Sequence, residues 1–309
     1  MDEFRIRGLV AATFTAFDAR GEIVLDIIPK YVQFLTDSGV KNVFVNGTTG
    51  EGPSLTLDER KRLAEKWVKV GKDKLSRVII HIGCANLKDT QTLMKHATEI
   101  GADAVATVPP FFFRTTSIDS LVEYVRRIGE VSPDMPLYYY HIPPVMSMSE
   151  FLTRARTSIP SLKGIKFSST DLYEAGLCVE TCDAQDRKYN MLFGCDEQLI
   201  AGLAVGFDGA VGSTYNFLGP LYLRMLDAWS SGDTMAASRE QSRSRQVINT
   251  LFKYAQATGN LVSVMKCVMN LTGLDCGSPR CPITAVDTEQ KQQLKEELET
   301  IGFFQWNKK

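Results

Sequence analysis

Short runs of β-branched and aromatic residues alternate with amphipathic stretches from the start of the 309-residue chain to about position 230. Eight runs read as strands: "GLVAATFTAF" (8–17), "NVFVNG" (42–47), "RVIIHIG" (77–83), "AVATVPP" (104–110), "PLYYYHIP" (136–143), "LKGIKFSS" (162–169), "YNMLFG" (189–194) and "GAVGSTYN" (209–216). The stretches between them have helical periodicity. "TLDERKRLAEKWVKVGKDK" (56–74) gathers Leu57, Leu63, Ala64, Trp67 and Val68 on one face, and "KDTQTLMKHATEIG" (88–101) ends on a glycine stop. Further helices read over 26–39, 117–130 and 148–159, and four more follow the last strand, at 217–233, 234–256, 260–273 and near 288–303.

Strand followed by helix, repeated, implies parallel pairing through right-handed crossovers. Eight such units of similar length close most naturally into a (β/α)8 TIM barrel. The rival, an open doubly wound sheet, calls for a glycine-rich phosphate turn after the first strand, and "FTAFDARGE" supplies none. The helix at 217–233 serves as the eighth barrel helix. Residues 1–233 therefore read as the barrel and 234–309 as a C-terminal helical extension packed on it, one structural unit with no Pro/Ser-rich linker.

Charge narrows the class of partner. The chain carries 35 basic and 36 acidic residues with no long run of one sign, which argues against a nucleic-acid or anionic-membrane surface. No apolar stretch approaches the roughly 20 residues of a membrane span, and "MDEFRIRGLV" has no signal-type apolar region. A soluble, cytoplasmic protein is expected. The seven cysteines, Cys84, Cys178, Cys182, Cys195, Cys267, Cys276 and Cys281, are odd in number and never spaced as C-x-x-C, so they read as buried reduced thiols.

In such a barrel the chemistry collects at the C-terminal ends of the strands. Alternation within "GIKFSS" puts Gly164, Lys166 and Ser168 on one face and Ile165 and Phe167 on the other. With the apolar pair toward the helices, Lys166 points inward, where desolvation favours a neutral amine able to attack a carbonyl; a buried ion pair is the plainer alternative. Tyr140, near the end of "YYYHIPP", offers a phenol for proton transfer or simply packs in the core, while His141 falls on the opposite face and reads as structural. "NGTTGEG" (46–52) offers Thr48, Thr49 and backbone N–H groups to an anion such as a carboxylate, or is a tight turn with a threonine cap; the Gly-Lys-Ser/Thr ending of a P-loop is absent. Asp196 and Glu197 in "FGCDEQ" and Ser213 in "VGSTYN" suit a polyhydroxylated ligand, although Asp196 also reads as an ordinary helix cap. His81, His96 and His141 lack ligand spacing for a metal.

Taken in order, "GTTGE" (47–51), "YHIP" (140–143), "GIK" (164–166), "GCDE" (194–197) and "GSTYN" (212–216) resemble the N-acetylneuraminate lyase/dihydrodipicolinate synthase superfamily, and within it the animal-type N-acetylneuraminate lyases. The resemblance runs in register across essentially the whole barrel. It implies a homotetrameric (β/α)8 aldolase that forms a Schiff base with pyruvate, needs no metal or organic cofactor, and takes N-acetylneuraminate to pyruvate and N-acetylmannosamine. By the same resemblance Lys166 is the Schiff-base lysine and Tyr140 the phenol that assists imine formation and proton movement. Thr48 and Thr49 hold the pyruvoyl carboxylate, and Ser168, Gly194, Asp196, Glu197 and Ser213 bind the polyol.

Two departures separate the chain from the lysine-forming branch. "PPVMSMSE" carries no arginine where dihydrodipicolinate synthases place one soon after their Tyr-x-x-Pro element, and Phe111 to Phe113 occupy a segment where many members have tyrosine. A 2-keto-3-deoxy sugar acid aldolase would share Lys166, Tyr140 and the threonine pair and differ in the polyol contacts. A barrel that binds pyruvate or sialic acid without turnover is the reading from another class.

Overall fold

The computed structural model describes residues 4–143, 146–184 and 189–307. Pro144 and Val145, part of the stretch read above for its missing arginine, lie outside the described residues. Eight strands follow one another in chain order around a closed barrel: β1 (Gly8–Ala12), β2 (Asn42–Val45), β3 (Arg77–His81), β4 (Ala104–Thr107), β5 (Leu137–His141), β6 (Leu162–Phe167), β7 (Asn190–Phe193) and β8 (Gly209–Gly212). Helices α1 (Ile28–Asp37), α2 (Leu57–Gly71), α3 (Leu87–Glu99), α4 (Ile118–Gly129), α5 (Met148–Ser158), α6 (Leu172–Asp183), α7 (Leu199–Val205) and α8 (Gly219–Ser230) separate and follow them. Beyond the barrel come α9 (Thr234–Thr258), α10 (Leu261–Leu271), α11 (Thr288–Ile301) and α12 (Phe303–Trp306). Among the described residues no helix is long and apolar enough to cross a membrane.

The strands are shorter than the apolar runs that announced them. Asn46, just past β2, adopts the left-handed region at φ 62°, and Thr214–Asn216 coil into a 3-10 turn directly after β8. The extra apolar residues belong to the loops at the strand ends. Two helices carry no clear periodic signal. In α6 Leu172 and Tyr173 face solvent, and α7 is a seven-residue, almost wholly apolar helix. Where the signal is strong its cause is plain, as in α2: Thr56 accepts the N–H of Glu59 while the Glu59 carboxylate accepts that of Thr56, a reciprocal cap that contributes about 1 kcal/mol.

By its contacts the chain divides into two compact units. The first joins residues up to Gly8 with 77–211, that is, β3 to β7 and most of β8 with α3 to α7. Asn190 is its polar centre: Oδ1 accepts the N–H of Ile6 and the hydroxyl of Tyr138, and Nδ2 donates to the Ile6 carbonyl and to Asp208. Arg5 closes the same knot by an ion pair of 2.6 Å to Asp208. The second unit, 9–76 with 212–307, holds β1, β2, α1, α2 and the C-terminal helices. There the Tyr31 hydroxyl donates to Asn216 Oδ1 at 2.6 Å, and Asn216 Nδ2 donates to the carbonyls of Ala12 and Ser213. The loops after β8 and β1 are thereby tied together.

Of the cysteines, Cys178, Cys182, Cys267 and Cys276 are buried, as expected, whereas Cys84 and Cys195 are half-buried and Cys281 is exposed. Cys281 follows the last barrel strand and helix in a loop, with no core to enter. Burial pushes the Cys182 and Cys276 thiols up to about 12, so they stay protonated.

His141 occupies the outward face of β5, stacked on Phe167 with ring centroids 4.6 Å apart. Burial pushes its imidazole down to about 4, against a smaller upward pull from the Glu174 carboxylate. The unfolded chain binds that proton more readily than the fold does, so the associated stability is full above about 6.5 and drains away as pH falls toward 4. Between pH 7 and 4 the native protein should lose on the order of 3 kcal/mol more stability in urea denaturation than His141→Phe. Equal losses in the two proteins would show that His141 titrates normally.

Candidate active site

Gly164 sets the geometry around Lys166. β6 pairs with β5 so that Tyr140 opposes Lys166, and with β7 so that Lys166 opposes Leu192. A Cβ at Gly164 would sit 1.9 Å from the Asn190 carbonyl oxygen and 2.8 Å from the Tyr138 ring. The absent side chain lets β6 lie flush against β7 with the Tyr138 ring beside it. Two residues on, Lys166 is 6% exposed, with Nζ 3.8 Å from the centroid of the Tyr140 ring. The ring face covers the nitrogen and holds the long side chain in place. Tyr140 is itself buried and meets His81 edge-on at 6.0 Å.

The strand ends beside this pair are laced together. Ser168 donates its N–H to the His141 carbonyl at 3.2 Å, and Gly194 donates to the Phe167 carbonyl at 2.8 Å. A side chain at Gly194 would strike Ser168 Oγ at 2.1 Å. Ser168 Oγ is shielded from solvent and, among the described residues, has no hydrogen-bond partner; Gln198 Oε1 shares that condition. Asp196 and Glu197 enter the 3-10 turn Asp196–Gln198 after β7, the first buried and the second half-buried. Cys195, between Gly194 and Asp196, is held as the protonated thiol: burial pushes it up to about 12, and the Glu197 and Asp196 carboxylates add to the shift.

Thr48, Thr49 and Ser213 belong to the second unit. In the 46–52 loop Thr48 is exposed and Thr49 buried, while Asn46 and Glu51 both take left-handed backbone angles, φ 62° and 54°. The loop is tightly held. Thr15 Oγ1 donates to the Gly50 carbonyl at 2.6 Å, Asn46 Nδ2 to the Arg60 carbonyl at 2.9 Å, and Gly52 N–H to the Gly47 carbonyl at 3.0 Å. Ser213 opens the turn after β8 and accepts the Asn216 amide through its carbonyl at 2.7 Å. The helix-cap reading of Asp196 has no counterpart here, since neither the 3-10 turn nor α7 has a side-chain cap.

Three residues went unassigned in the sequence: Glu51, Lys266 and Arg280. A weak signal existed for one, because Lys266 is the single charge in the apolar run "LVSVMKCVMNL".

The model of the dihydrodipicolinate synthetase family matches residues 5–301. The chain belongs to this family. Relatives in the dihydrodipicolinate synthetase family include the N-acetylneuraminate lyase of Rattus norvegicus, 43% identical over 97% of this chain and 93% of the relative, and that of Danio rerio, 42% identical over 95% and 96%. Among solved structures, Proteus mirabilis N-acetylneuraminate lyase superposes with a TM-score of 0.90 at 35% identity, covering 97% of this chain and all of the other, 100%. A catalytic lysine mutant of Ruminococcus gnavus sialic acid aldolase superposes at 0.87 with 28% identity over 96% and 97%.

Gly164→Ala should cost about 3 kcal/mol in urea denaturation, because the obstacle is a backbone carbonyl that cannot swing aside. A loss well under 1 kcal/mol would mean that β6 and β7 part without resistance.

Proposed function

We propose that the protein cleaves N-acetylneuraminate reversibly to pyruvate and N-acetyl-D-mannosamine through a Schiff base on Lys166. One observation carries the reading: a lysine 6% exposed, capped by the Tyr140 ring at the end of a barrel strand, in a chain 43% identical to an N-acetylneuraminate lyase. The catalytic lysine named for the Ruminococcus gnavus aldolase supports the same residue type for the task.

The chemistry follows from the groups. The Lys166 amine adds to the C2 carbonyl of the open-chain sugar acid, and loss of water with uptake of one proton gives a protonated imine. Deprotonation of the C4 hydroxyl then breaks C3–C4, and the bonding pair flows through C3 and C2 into the imine nitrogen. That leaves an enamine in place of an unstabilised carbanion, while C4 departs as the aldehyde of N-acetylmannosamine. Protonation at C3 and addition of water release pyruvate and return the amine. Tyr140 carries the proton between hydroxyl and solvent side, and Thr48 and Thr49 hold the carboxylate. Ser168, Gly194, Asp196, Glu197 and Ser213 receive the polyol, a role that the unpartnered Ser168 Oγ suits. The imine is itself the electron sink, so the route calls for no metal or organic cofactor.

The reading extends to assembly and setting. Phe111, Phe112 and Phe113 stand 49%, 84% and 81% exposed in the single chain, an apolar patch of the kind that another copy covers in a homotetramer. Residues 1–233 act as the barrel, and 234–309 as its C-terminal extension. Buried thiols at Cys178, Cys182, Cys267 and Cys276 suit a reducing cytoplasm.

Borohydride reduction in the presence of pyruvate should leave a pyruvate-derived adduct on Lys166, read by peptide mass analysis, and Lys166→Ala should show neither adduct nor turnover. Absence of an adduct on the folded native protein would defeat the aldolase reading. Tyr140→Phe should form the adduct yet turn over N-acetylneuraminate about 100-fold more slowly, the usual contribution of a proton-transfer group. Asp196→Ala and Glu197→Ala should raise KM for N-acetylneuraminate while leaving the pyruvate dependence of trapping unchanged; equal shifts in both would count against polyol binding.

A further inference from the structure

The second unit buries a set of charges that the proposed reaction does not use. The Glu51 carboxylate, 0% exposed, lies 2.7 Å from Nζ of Lys266, itself 1% exposed on α10. The other Glu51 oxygen accepts the backbone N–H of Arg280 at 2.8 Å. The Arg280 guanidinium then spans two elements: Nη1 donates to Glu59 Oε2 and to the Ser54 carbonyl, both at 2.8 Å, Nη2 to Glu59 Oε1 at 2.6 Å, and Nε to the Gly21 carbonyl at 3.0 Å. Both cations lie over the ring of Phe17, at 4.4 Å for Lys266 and 4.5 Å for Arg280. Lys266 completes its set by donating to the Ser278 carbonyl at 3.2 Å.

Glu51 is also one of the few non-glycine residues with a left-handed backbone, and it immediately follows the Thr48–Thr49–Gly50 segment. A strained conformation of this kind persists where the surroundings over-determine it. Here they do so through charge. A carboxylate buried without a partner is strongly disfavoured, so the 46–52 loop has one arrangement that keeps Glu51 paired with Lys266 and bonded to Arg280. Glycines at 47, 50 and 52 leave little room for another: a Cβ at Gly52 would lie 2.1 Å from the Asn46 carbonyl oxygen, and one at Gly47 2.7 Å from the Phe44 ring.

We infer that Glu51, Lys266 and Arg280 are positioning residues through which the C-terminal segment fixes the backbone of Thr48–Gly52 and so sets affinity for the carboxylate of a 2-oxo acid. The substrate half of this inference rests on the function proposed above; the structural half does not. The C-terminal helices thus act on the threonine loop from behind, without touching the reacting atoms.

The experiment compares native protein with Glu51→Gln, Lys266→Met and the double variant, using pyruvate as probe. The pyruvate concentration giving half-maximal borohydride trapping on Lys166 should rise about tenfold in each single variant, with the trapped yield at saturation unchanged. The double variant should be no worse than the singles, because the two residues act as a pair. In the absence of pyruvate, amide hydrogen exchange should quicken across 48–52 and stay unchanged across 166–168. If the variants unfold at lower temperature while half-saturation and exchange at 48–52 match the native protein, the charges merely stabilise the fold and the inference is overturned. Should the buried-pair variants fail to fold, Arg280→Lys keeps the charge, loses the fork and supplies the same two readouts. Failure of native protein to trap pyruvate would defeat the proposed function, and the exchange result would then decide the positioning role by itself.

Discussion

A parallel strand in the middle of a barrel has no free edge: its backbone groups are taken up by neighbours on both sides, and both of its faces are covered. Every inward polar side chain must therefore find its partners inside the ring or at the rim. Gly164 shows how tight the constraint is, since β6 approaches β7 closely enough that a single methyl group would strike the Asn190 carbonyl. The position of Lys166 two residues later follows from that approach.

The polar interior sorts into two kinds. Asn190 spends its capacity on architecture, joining Ile6, Tyr138 and Asp208. Tyr31 and Asn216 do the same in the other unit. Ser168 Oγ and Gln198 Oε1, by contrast, are shielded and lack partners among the described residues. Unmet hydrogen-bonding capacity in a shielded place is costly unless something else supplies it, and it lies beside the strand ends that carry Lys166 and Asp196.

Charge is handled by the same economy. Lys166 lies against an aromatic face, whereas Lys266 lies against a carboxylate. Burial holds the Lys266 ammonium below its ordinary value, with Glu51 pulling the other way. One lysine is thus covered by a ring and the other is matched with an opposite charge. Arg280 is matched in the same way: its guanidinium drops the Glu59 carboxylate to about 2 and keeps that clamp ionised across the physiological range.

Alternation along "GIKFSS" placed Gly164, Lys166 and Ser168 on one face because a strand has a period of two, a local property that any eight-residue window displays. Helices with segregated faces, such as α2 and α4, were legible for the same kind of reason. The strand ends were not, because apolar residues such as Tyr215 remain buried after the ladder stops. Helices α6 and α7 were silent, since exposed Tyr173 and a uniformly apolar short run blur periodicity. Local pattern thus determined the order of elements and the face that carries the lysine. The tertiary structure alone decided that Glu51 meets Lys266 and Arg280, because a contact between residues so far apart in the chain leaves no periodic trace and exists only once folding has closed the distance.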